Sequence, residues 1–320
     1  MKTLITQDLQ AARIALHAGK VIGIPTETVY GLAANALIPE AVAQVFSIKQ
    51  RPESNPLILH FKDQSSALPY VESFHEDLAF LARHFCPGPL TFLLPKSSKV
   101  PDAITGGSEW VAIRFPSHPM FVELLSVIDF PIAAPSANKY GCVSPTSAEQ
   151  VFAQLNGEIP MILDGGPCEF GLESTIVGIQ NEQVYVLRLG SIDLDELASC
   201  LGYIPILNNH AENKPLAPGM VKYHYATKTP LFYLSSTTTE KEGNGFIFLS
   251  EIKGEYPDEQ CYVLSKSGDL KEMGRNLYTA LSEMDARGFK AIYIEKPAPN
   301  GLGLTILDRL NRATAKYSKM

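Results

Sequence analysis

Cationic and hydroxyl side chains recur near the ends of apolar segments in the first two thirds of the chain. The cations are Lys49, Arg51, Arg114 and Arg188, and the hydroxyl residues are Thr28, Ser136, Ser144 and Ser174. The apolar segments beside them predict β-strands. The sequence contains no P-loop and no nucleophile motif. Cations and hydroxyls without a nucleophile suit phosphoryl chemistry, in which a protein mainly positions reactants and neutralises charge.

Each of these residues also has an ordinary structural explanation when it is considered alone. Lys49 and Arg51 follow a predicted helix, and a helix C-terminus attracts cations in any case. As an alternative, the two form an anion clamp. Arg114 lies inside an apolar run, where an arginine is at a sheet edge or is buried with an anionic partner; we expect the second. The serines are typical of turns and caps, so the prediction of function rests on the whole set.

The densest polar stretch is residues 25–32, which read Pro-Thr-Glu-Thr-Val-Tyr-Gly-Leu. It follows the short apolar run of residues 21–24, which predicts a buried strand. Pro25 cannot donate a hydrogen bond to a sheet, so the strand should end there. Open α/β sheets bind ligands at the carboxyl ends of their strands. This stretch is therefore a candidate binding turn, and a plain polar turn is the alternative.

Alternating strand and helix patterns predict the α/β elements that position these residues. The predicted strands are residues 21–24, 57–61, 90–94, 110–116, 130–134, 161–163, 174–177 and 184–190. The predicted helices are residues 7–18, 39–49, 75–85, 146–155 and 193–201. Thr146 and Glu149 have the spacing of a capping box, which places a helix start at Thr146.

A second, smaller α/β unit follows a proline-rich linker. The predicted boundaries are residues 1–204 for the first domain, 205–228 for the linker and 229–320 for the second domain. The second domain should contain strands at residues 245–249, 260–264 and 291–294, and helices at residues 270–284 and 304–315. Gly301 and Gly303 form a GxG without the third glycine of a dinucleotide fingerprint, so we interpret them as a helix-entry turn.

Composition narrows the class of protein. The chain has 320 residues and a net charge of −7. Residues 229–320 carry 12 acidic and 12 basic side chains, so the net charge lies in residues 1–228. A protein that grips nucleic acid mainly through phosphates is usually basic. The five cysteines include no CxxC pair, which argues against a zinc site or disulfide framework and predicts a cytoplasmic protein. No long uncharged apolar segment is found, so we expect no membrane span.

Several sequence blocks carry a family resemblance. They are residues 25–32, Lys49-Gln50-Arg51-Pro52 with Asn55-Pro56-Leu57, Pro87-Gly88-Pro89-Leu90-Thr91, residues 111–116, Ala134-Pro135-Ser136-Ala137-Asn138, Ser174-Thr175-Ile176-Val177 and the linker residues 217–226. Together they resemble the YrdC-like family, and in particular its longer, two-domain threonylcarbamoyl-AMP synthases. The resemblance covers nearly the whole chain.

The resemblance implies a fold and a reaction. The fold is a twisted open α/β sheet with a cationic cavity, followed by a smaller Rossmann-like α/β domain. The reaction joins L-threonine, bicarbonate and ATP into threonylcarbamoyl-adenylate and releases pyrophosphate. A partner transferase complex then modifies adenosine 37 of tRNA. Mg²⁺ is expected to accompany ATP, with no metal ligand assigned among the protein side chains.

The resemblance also assigns roles to residues. Threonine is expected at Thr28, His60, Arg114, Ala134 and Ser174. The nucleotide is expected at Lys49, Arg51, Asn55, Trp110, Ser136, Ser144, Arg188 and Tyr225, with Tyr225 closing over it from the linker. Lys49 and Arg51 are the expected catalytic residues. No side chain needs to act as a covalent nucleophile.

Three alternatives remain open at this stage. The first is a carbamoyl-adenylate enzyme of hydrogenase maturation, which is disfavoured because zinc-type cysteine pairs are missing. The second is an RNA-binding module, which the negative charge of residues 1–228 disfavours although a local basic cavity remains compatible with RNA contact. The third is a regulatory or structural role for the second domain alone, since nothing in residues 229–320 looks catalytic.

Overall fold

The computed structural model describes residues 2–207, 224–235 and 242–317, which form two β-sheets with associated helices. The larger sheet has eleven described strands in the spatial order β1-β8-β2-β3-β7-β4-β6-β5-β9-β10-β11. They are β1 (Leu4–Thr6), β2 (Ile22–Ile24), β3 (Gly31–Asn35), β4 (Ile58–His60), β5 (Leu90–Pro95), β6 (Trp110–Arg114), β7 (Ile132–Ala133), β8 (Met161–Leu163), β9 (Thr175–Gln180), β10 (Gln183–Arg188) and β11 (Ile206–Leu207). Parallel and antiparallel neighbours are mixed.

Eight described helices belong to the same part of the chain. They are α1 (Leu9–His17), α2 (Pro39–Lys49), α3 (Gln64–Ala67), α4 (Glu76–Phe85), α5 (Asp102–Thr105), α6 (Pro119–Ser126), α7 (Ala148–Leu155) and α8 (Leu194–Leu201). Their buried apolar faces pack on the sheet and form the main core. The predicted proline at the first turn of α2 is confirmed.

The smaller sheet has four described strands, and all its neighbouring strands are parallel. They are β12 (Leu231–Tyr233), β13 (Gly245–Phe248), β14 (Cys261–Val263) and β15 (Ile292–Ile294), accompanied by α9 (Leu270–Ala286) and α10 (Leu302–Thr314). The apolar faces of both helices enter one core with these strands. The predicted second α/β domain is confirmed in its fold class. Gly301, the N-cap residue of α10, has φ +48 and ψ −134, a conformation that glycine adopts readily and other residues rarely do.

Two local predictions differ from the structure. The start of α7 predicted at Thr146 is wrong by one position, because Ser147 has the extended backbone of an N-cap and its side chain accepts a hydrogen bond from the Gln150 amide. Within residues 205–228, predicted as linker, β11 pairs in parallel with β10. The rest of that segment up to residue 223 lies outside the described residues.

The register of the larger sheet brings several polar strand ends together. His60 lies opposite Arg114 in the parallel pair β4–β6, and Thr91 lies opposite Arg114 in the antiparallel pair β5–β6. Gly31, at the start of β3, forms an isolated bridge with Ser136. Residues far apart in sequence therefore meet at one edge of the sheet. Among the described helices, none is both long and apolar enough to cross a membrane.

Candidate active site

A buried cavity lies at the edge of the larger sheet where these strand ends meet. Its lining combines hydroxyl, cationic and aromatic groups with backbone from the turns after β2 and β7. The lining residues are Thr26, Thr28, Val29, Tyr30, Gly31, Arg51, Ile58, His60, Arg114, Ala134, Pro135, Ser136, Glu173, Arg188, His224 and Tyr225. The cavity thus collects residues from both the predicted threonine set and the predicted nucleotide set.

The turn after β2 forms one wall. The Thr26 hydroxyl donates to the Val29 carbonyl oxygen at 2.6 Å and accepts from the Thr28 and Val29 amides. The hydroxyls of Thr26 and Thr28 lie 2.9 Å apart. The Tyr30 hydroxyl donates to the Gly166 carbonyl at 2.8 Å. These bonds fix the polar turn, so that the side chain of Thr28 is held at the cavity.

A buried ion pair lies beside this turn. Arg114 Nη2 donates to Glu27 Oε1 at 2.6 Å, and both side chains are almost fully buried. This confirms that Arg114 is buried with an anionic partner. Arg114 Nε, Glu27 Oε2 and His60 Nδ1 are buried without a hydrogen-bond partner. Since buried polar groups are normally paired, these three atoms mark a place where a polar ligand would complete the hydrogen bonding.

His60 is held in its neutral form. Burial, with a further contribution from the nearby Arg114 charge, lowers the pKa of His60 to about 3. A neutral imidazole carries one donor and one acceptor nitrogen. At neutral pH His60 can therefore hydrogen-bond a hydroxyl or an amine without adding charge to the cavity.

Two arginines supply the positive charge of the lining. Arg51 donates from Nη2 to Asn55 Oδ1 at 2.7 Å and to the Pro56 carbonyl at 2.8 Å. Arg188 donates from Nη2 to the Ser174 carbonyl at 2.8 Å and to Ser174 Oγ at 3.0 Å. Burial lowers the pKa of each arginine to about 10, so both stay charged at neutral pH. Their hydrogen bonds preorganise two cations beside the cavity.

Lys49 lies one layer behind the lining. Its ammonium group is buried and donates to the Ser136 carbonyl and to the Asn138 carbonyl, the latter at 2.7 Å. Burial is the main cause that lowers its pKa. Lys49 therefore fixes the loop that carries Ser136, which itself lines the cavity.

The other predicted residues occupy different positions around the cavity. Asn55 orients Arg51, and Ser174 orients Arg188 while its hydroxyl lies 2.7 Å from that of Thr91. Ser144 donates to Glu173 Oε1 at 2.8 Å. Trp110 is the one that stands apart from the cavity. It lies at the opposite end of β6 from Arg114, is 38% exposed and does not line the cavity.

Glu173 is a cavity residue that the sequence reasoning missed. Its Oε2 accepts hydrogen bonds from Tyr278 and from Arg309 Nε, each at 2.9 Å. Burial alone raises the pKa of Glu173, but Arg309 and Arg188 lower it more, to about 2. The carboxylate is therefore ionised, and two of its donors belong to the second domain. One signal was available: Arg309 occupies a position on the apolar face of α10, three residues after Ile306.

The described end of the linker closes the cavity on another side. Tyr225 is almost fully buried, and its ring centroid lies 4.1 Å from that of His224. The Ala226 amide donates to the Gly141 carbonyl at 2.8 Å, which ties the linker to the first domain. Burial lowers the pKa of His224 to about 3. Lys222 and Tyr223, part of the same predicted cluster, lie outside the described residues.

Fold and cavity together define an α/β protein with an enclosed cationic site and a second α/β domain docked beside it. Residues 14–190 match the Sua5/YciO/YrdC family model, described as "Telomere recombination", and residues 192–315 match the "Threonylcarbamoyl-AMP synthase, C-terminal domain" model. The chain therefore belongs to the Sua5/YciO/YrdC family, and the predicted resemblance is confirmed.

The similarity to three relatives extends over most of this chain and most of each relative. The threonylcarbamoyl-AMP synthase of Pyrococcus abyssi is 36% identical over 93% of this chain and 92% of its own length. That of Bacillus subtilis is 36% identical over 97% of this chain and 94% of its own. That of Schizosaccharomyces pombe is 34% identical over 95% and 87%, respectively.

Solved structures show the same architecture. The crystal structure of P. abyssi Sua5 complexed with L-threonine has a TM-score of 0.89 and 33% identity, and covers 98% of both chains. A phosphate- and nucleotide-bound HypF has a TM-score of 0.51 and 22% identity, and covers 57% of this chain and 29% of its own. The second likeness shows the fold of the first domain alone.

Proposed function

We propose that the cavity makes threonylcarbamoyl-AMP and pyrophosphate from L-threonine, bicarbonate and ATP. The observation that carries the proposal is the juxtaposition of two groups in one cavity. Arg114 and His60 line the cavity and have unpartnered polar atoms, and Arg51 and Arg188 supply charge in the same lining. Full-length relatives named threonylcarbamoyl-AMP synthase, and a relative's complex with L-threonine, support it.

Threonine binds at the Arg114 side of the cavity in this proposal. Its carboxylate takes a hydrogen bond from Arg114 Nε, the donor left open by the ion pair with Glu27. The hydroxyl and amine of threonine are placed by Thr28, His60 and the backbone near Ala134, with Ser174 behind them. Neutral His60 fits this role because it adds hydrogen bonds without repelling an ammonium group.

ATP binds at the arginine side. Arg51 and Arg188 neutralise its phosphates, while Asn55 and Lys49 hold the arginine and the Ser136 loop in place. Ser144 acts through Glu173, and Tyr225 covers the nucleotide. Trp110 can contact the nucleotide only if the nucleotide extends out of the cavity along β6. Nucleotide binding by Trp110 therefore stays a prediction.

The reaction proceeds in two steps, formation of a carbamate and transfer of the adenylyl group. The ammonium group of threonine first releases a proton to solvent, the resulting amine attacks the carbon of bicarbonate, and loss of water leaves a carbamate. A carbamate oxygen then attacks the α-phosphorus of ATP, the bond from that phosphorus to the bridging oxygen breaks, and pyrophosphate leaves. The protein positions the reactants and stabilises the charge on the phosphoryl group and on the leaving pyrophosphate.

Mg²⁺ is part of the proposal as the ion that accompanies the triphosphate. Among the described residues, no cluster of three or more His, Cys, Asp or Glu side chains can hold a metal. Glu173 is already engaged by Ser144, Tyr278 and Arg309. Mg²⁺ would therefore be carried by phosphate oxygens and water, where it lowers the charge of the leaving group.

In this proposal the product is the substrate of a further enzyme. Threonylcarbamoyl-AMP is a mixed anhydride that a transferase complex uses to modify adenosine 37 of tRNA. The proposed location is the cytoplasm, where tRNA and free thiols occur together, and the five cysteines of this chain are free. Direct contact with tRNA remains a secondary proposal, limited to the local positive charge around the cavity.

The test is release of pyrophosphate by the purified chain with Mg-ATP and bicarbonate, with and without L-threonine. Threonine-dependent release supports the proposal. Release with carbamoyl phosphate in place of threonine would instead assign a carbamoyl-adenylate activity. Without release in either case, the proposal fails, and salt-dependent RNA binding becomes the function to measure.

A further inference from the structure

Glu173 is an acidic residue in the lining of the cavity that we propose to bind ATP. An unneutralised carboxylate at this place would repel phosphate groups. Its Oε1 accepts from Ser144 of the first domain, whereas its Oε2 accepts from Tyr278 of α9 and Arg309 of α10. The second domain therefore supplies the only cation that contacts this carboxylate directly among the described ion pairs.

Arg309 reaches this position from the far side of the domain boundary. Its side chain is 1% exposed, and its Nη2 donates to the Leu189 carbonyl, next to the end of β10. Burial opposes its charge, but the neighbouring Tyr225 and Glu173 outweigh this effect and raise the pKa of Arg309 above its usual value. The guanidinium is thus a permanent cation held against Glu173 and against the backbone beside Arg188.

Tyr278 and Arg309 also contact the ring of Tyr225, the tyrosine of the linker. The Tyr225 ring stacks on Tyr278 with centroids 5.5 Å apart and an angle of 19° between the planes. The Arg309 guanidinium lies 5.1 Å from the centroid of the Tyr225 ring. Tyr225 has φ +64, a left-handed backbone that costs a non-glycine residue energy. Its conformation is therefore maintained by these contacts.

The second domain is docked closely enough to fix this geometry. The turn before Glu173 packs closely against α9. At Gly171 an added Cβ atom would lie 2.3 Å from the Arg275 carbonyl oxygen. The Thr305 hydroxyl of α10 donates to the Gly190 carbonyl at 3.1 Å. Backbone contacts on both sides of the Glu173–Arg309 pair leave little freedom for it to separate.

We infer that Arg309 and Tyr278 are positioning residues for the reaction in the first domain. They neutralise Glu173 beside the phosphate site and hold Tyr225 over the cavity, so the second domain completes the site although none of its residues lines the cavity. This inference rests on the proposed function for its role in turnover. Neutralisation of Glu173 also has a direct consequence for nucleotide binding, which can be measured without threonine.

The central variant is Arg309→Met, which keeps an unbranched side chain but leaves Glu173 without its contacting cation. We expect the KM for ATP to rise on the order of a hundredfold, as when a catalytic geometry is displaced. Loss of Arg309 raises the pKa of Glu173, whose remaining neighbours are Arg188, His224, Tyr278 and Ser144. The deficit should therefore shrink as the pH is lowered and Glu173 takes up a proton. The double variant Glu173→Gln with Arg309→Met should recover most of the loss and show no such pH dependence.

Two further variants keep the test decisive. Arg287→Met removes an exposed arginine at the end of α9, which contacts Glu283 and the Glu259 carbonyl, and should behave like the unchanged protein. Tyr278→Phe removes only the hydroxyl donor to Glu173 and keeps the ring under Tyr225. If Arg309→Met does not fold, the test rests on Tyr278→Phe. A KM for ATP that rises several-fold at an unchanged Tm would then support the inference, and an unchanged KM would overturn it.

Mg-ATP affinity is measured by calorimetry on the full chain beside pyrophosphate release. Equal KM and affinity in Arg309→Met and Arg287→Met would overturn the inference, as would a loss that neither pH nor Glu173→Gln relieves. If the unchanged protein binds Mg-ATP but releases no pyrophosphate, the proposed function fails while the affinities still decide the role of Arg309. An unchanged protein that binds no Mg-ATP overturns both.

Discussion

Arg114 and Glu27 form a buried ion pair with 2.6 Å between Nη2 and Oε1, and each keeps one polar atom without a partner. An ion pair that served only packing would be expected to satisfy more of its hydrogen-bonding groups. His60, the neighbour of Arg114 across β4 and β6, lines the same cavity and has an unpartnered Nδ1. The pair therefore holds Arg114 in place and leaves its Nε free for another acceptor, as the proposed threonine site requires.

The first prediction concerns this arginine. Arg114→Lys keeps the positive charge near Glu27 but loses the planar fork that can serve two carboxylates at once. We expect the KM for threonine to rise about tenfold or more, and the KM for ATP to change little. Steady-state pyrophosphate release at varied threonine and varied ATP separates the two constants. Equal effects on both constants would show that Arg114 does not act on threonine.

The second prediction concerns the cation clamp. Arg51→Met removes a preorganised charge from the cavity and should lower turnover by about 10²–10³. Lys49→Met should also cost orders of magnitude, but through the Ser136–Asn138 loop that its ammonium group holds. Lys20→Met, a change of the same charge at an exposed position outside the lining, serves as the control. Near-normal turnover in both Arg51→Met and Lys49→Met would refute the site assignment.

The third prediction concerns acid stability. His60 and His224 each have a folded pKa of about 3, below the usual value of 6.5. Below pH 6.5 the unfolded chain therefore binds more protons than the folded chain, and stability falls as the pH drops towards 3. Each histidine should cost on the order of 2 kcal/mol at pH 5. Glu173, with a folded pKa of about 2, adds to the loss below pH 4.5.

Thermal unfolding at pH 7, 6 and 5 measures this effect. We expect Tm to fall with pH in the unchanged protein, and to fall less steeply in the double variant His60→Gln with His224→Gln. The glutamines cannot titrate, so they remove the difference in proton uptake whatever they cost in packing. An identical slope in both proteins would contradict the pKa values.

The fourth prediction concerns the contact between the domains. Gly171 has φ +71, and a Cβ there would lie 2.3 Å from the Arg275 carbonyl of α9. Gly202 has φ +77, but a Cβ there meets nothing within 4 Å. Gly202→Ala should cost about 1–2 kcal/mol for the left-handed backbone alone. Gly171→Ala should cost clearly more and should increase proteolysis between the domains. Equal unfolding free energies in urea would show that the turn is not tightly docked.

The sequence predicted the strand-end placement of the site because apolar runs and the residues that end them are local signals. Pro25 ends β2 as expected, and Arg114 is buried with an anion as expected. The identity of its partner was not predictable, since Glu27 lies 87 residues away in the turn between β2 and β3, and only the folded chain brings it to the end of β6. The strand β3 was not among the predicted strands, although its first residue, Gly31, lines the cavity.

The contribution of the second domain was the largest omission. Glu173 and Arg309 are 136 residues apart, and their contact depends on how two domains dock. The apolar periodicity of α10 did contain a signal, because a charged residue on a buried helix face needs an anionic partner. The partner itself could be found only in the folded chain.

The most direct test of the central claim is the mass of the nucleotide product made from ¹³C-bicarbonate, ¹⁵N-threonine and Mg-ATP. The account predicts an adenylate that carries both labels, formed in equal amount with pyrophosphate. The ¹³C atom should be bonded to the ¹⁵N atom, because the carbamate forms before the phosphoryl step. An adenylate without the ¹³C label, or pyrophosphate without a labelled adenylate, would contradict the proposed reaction.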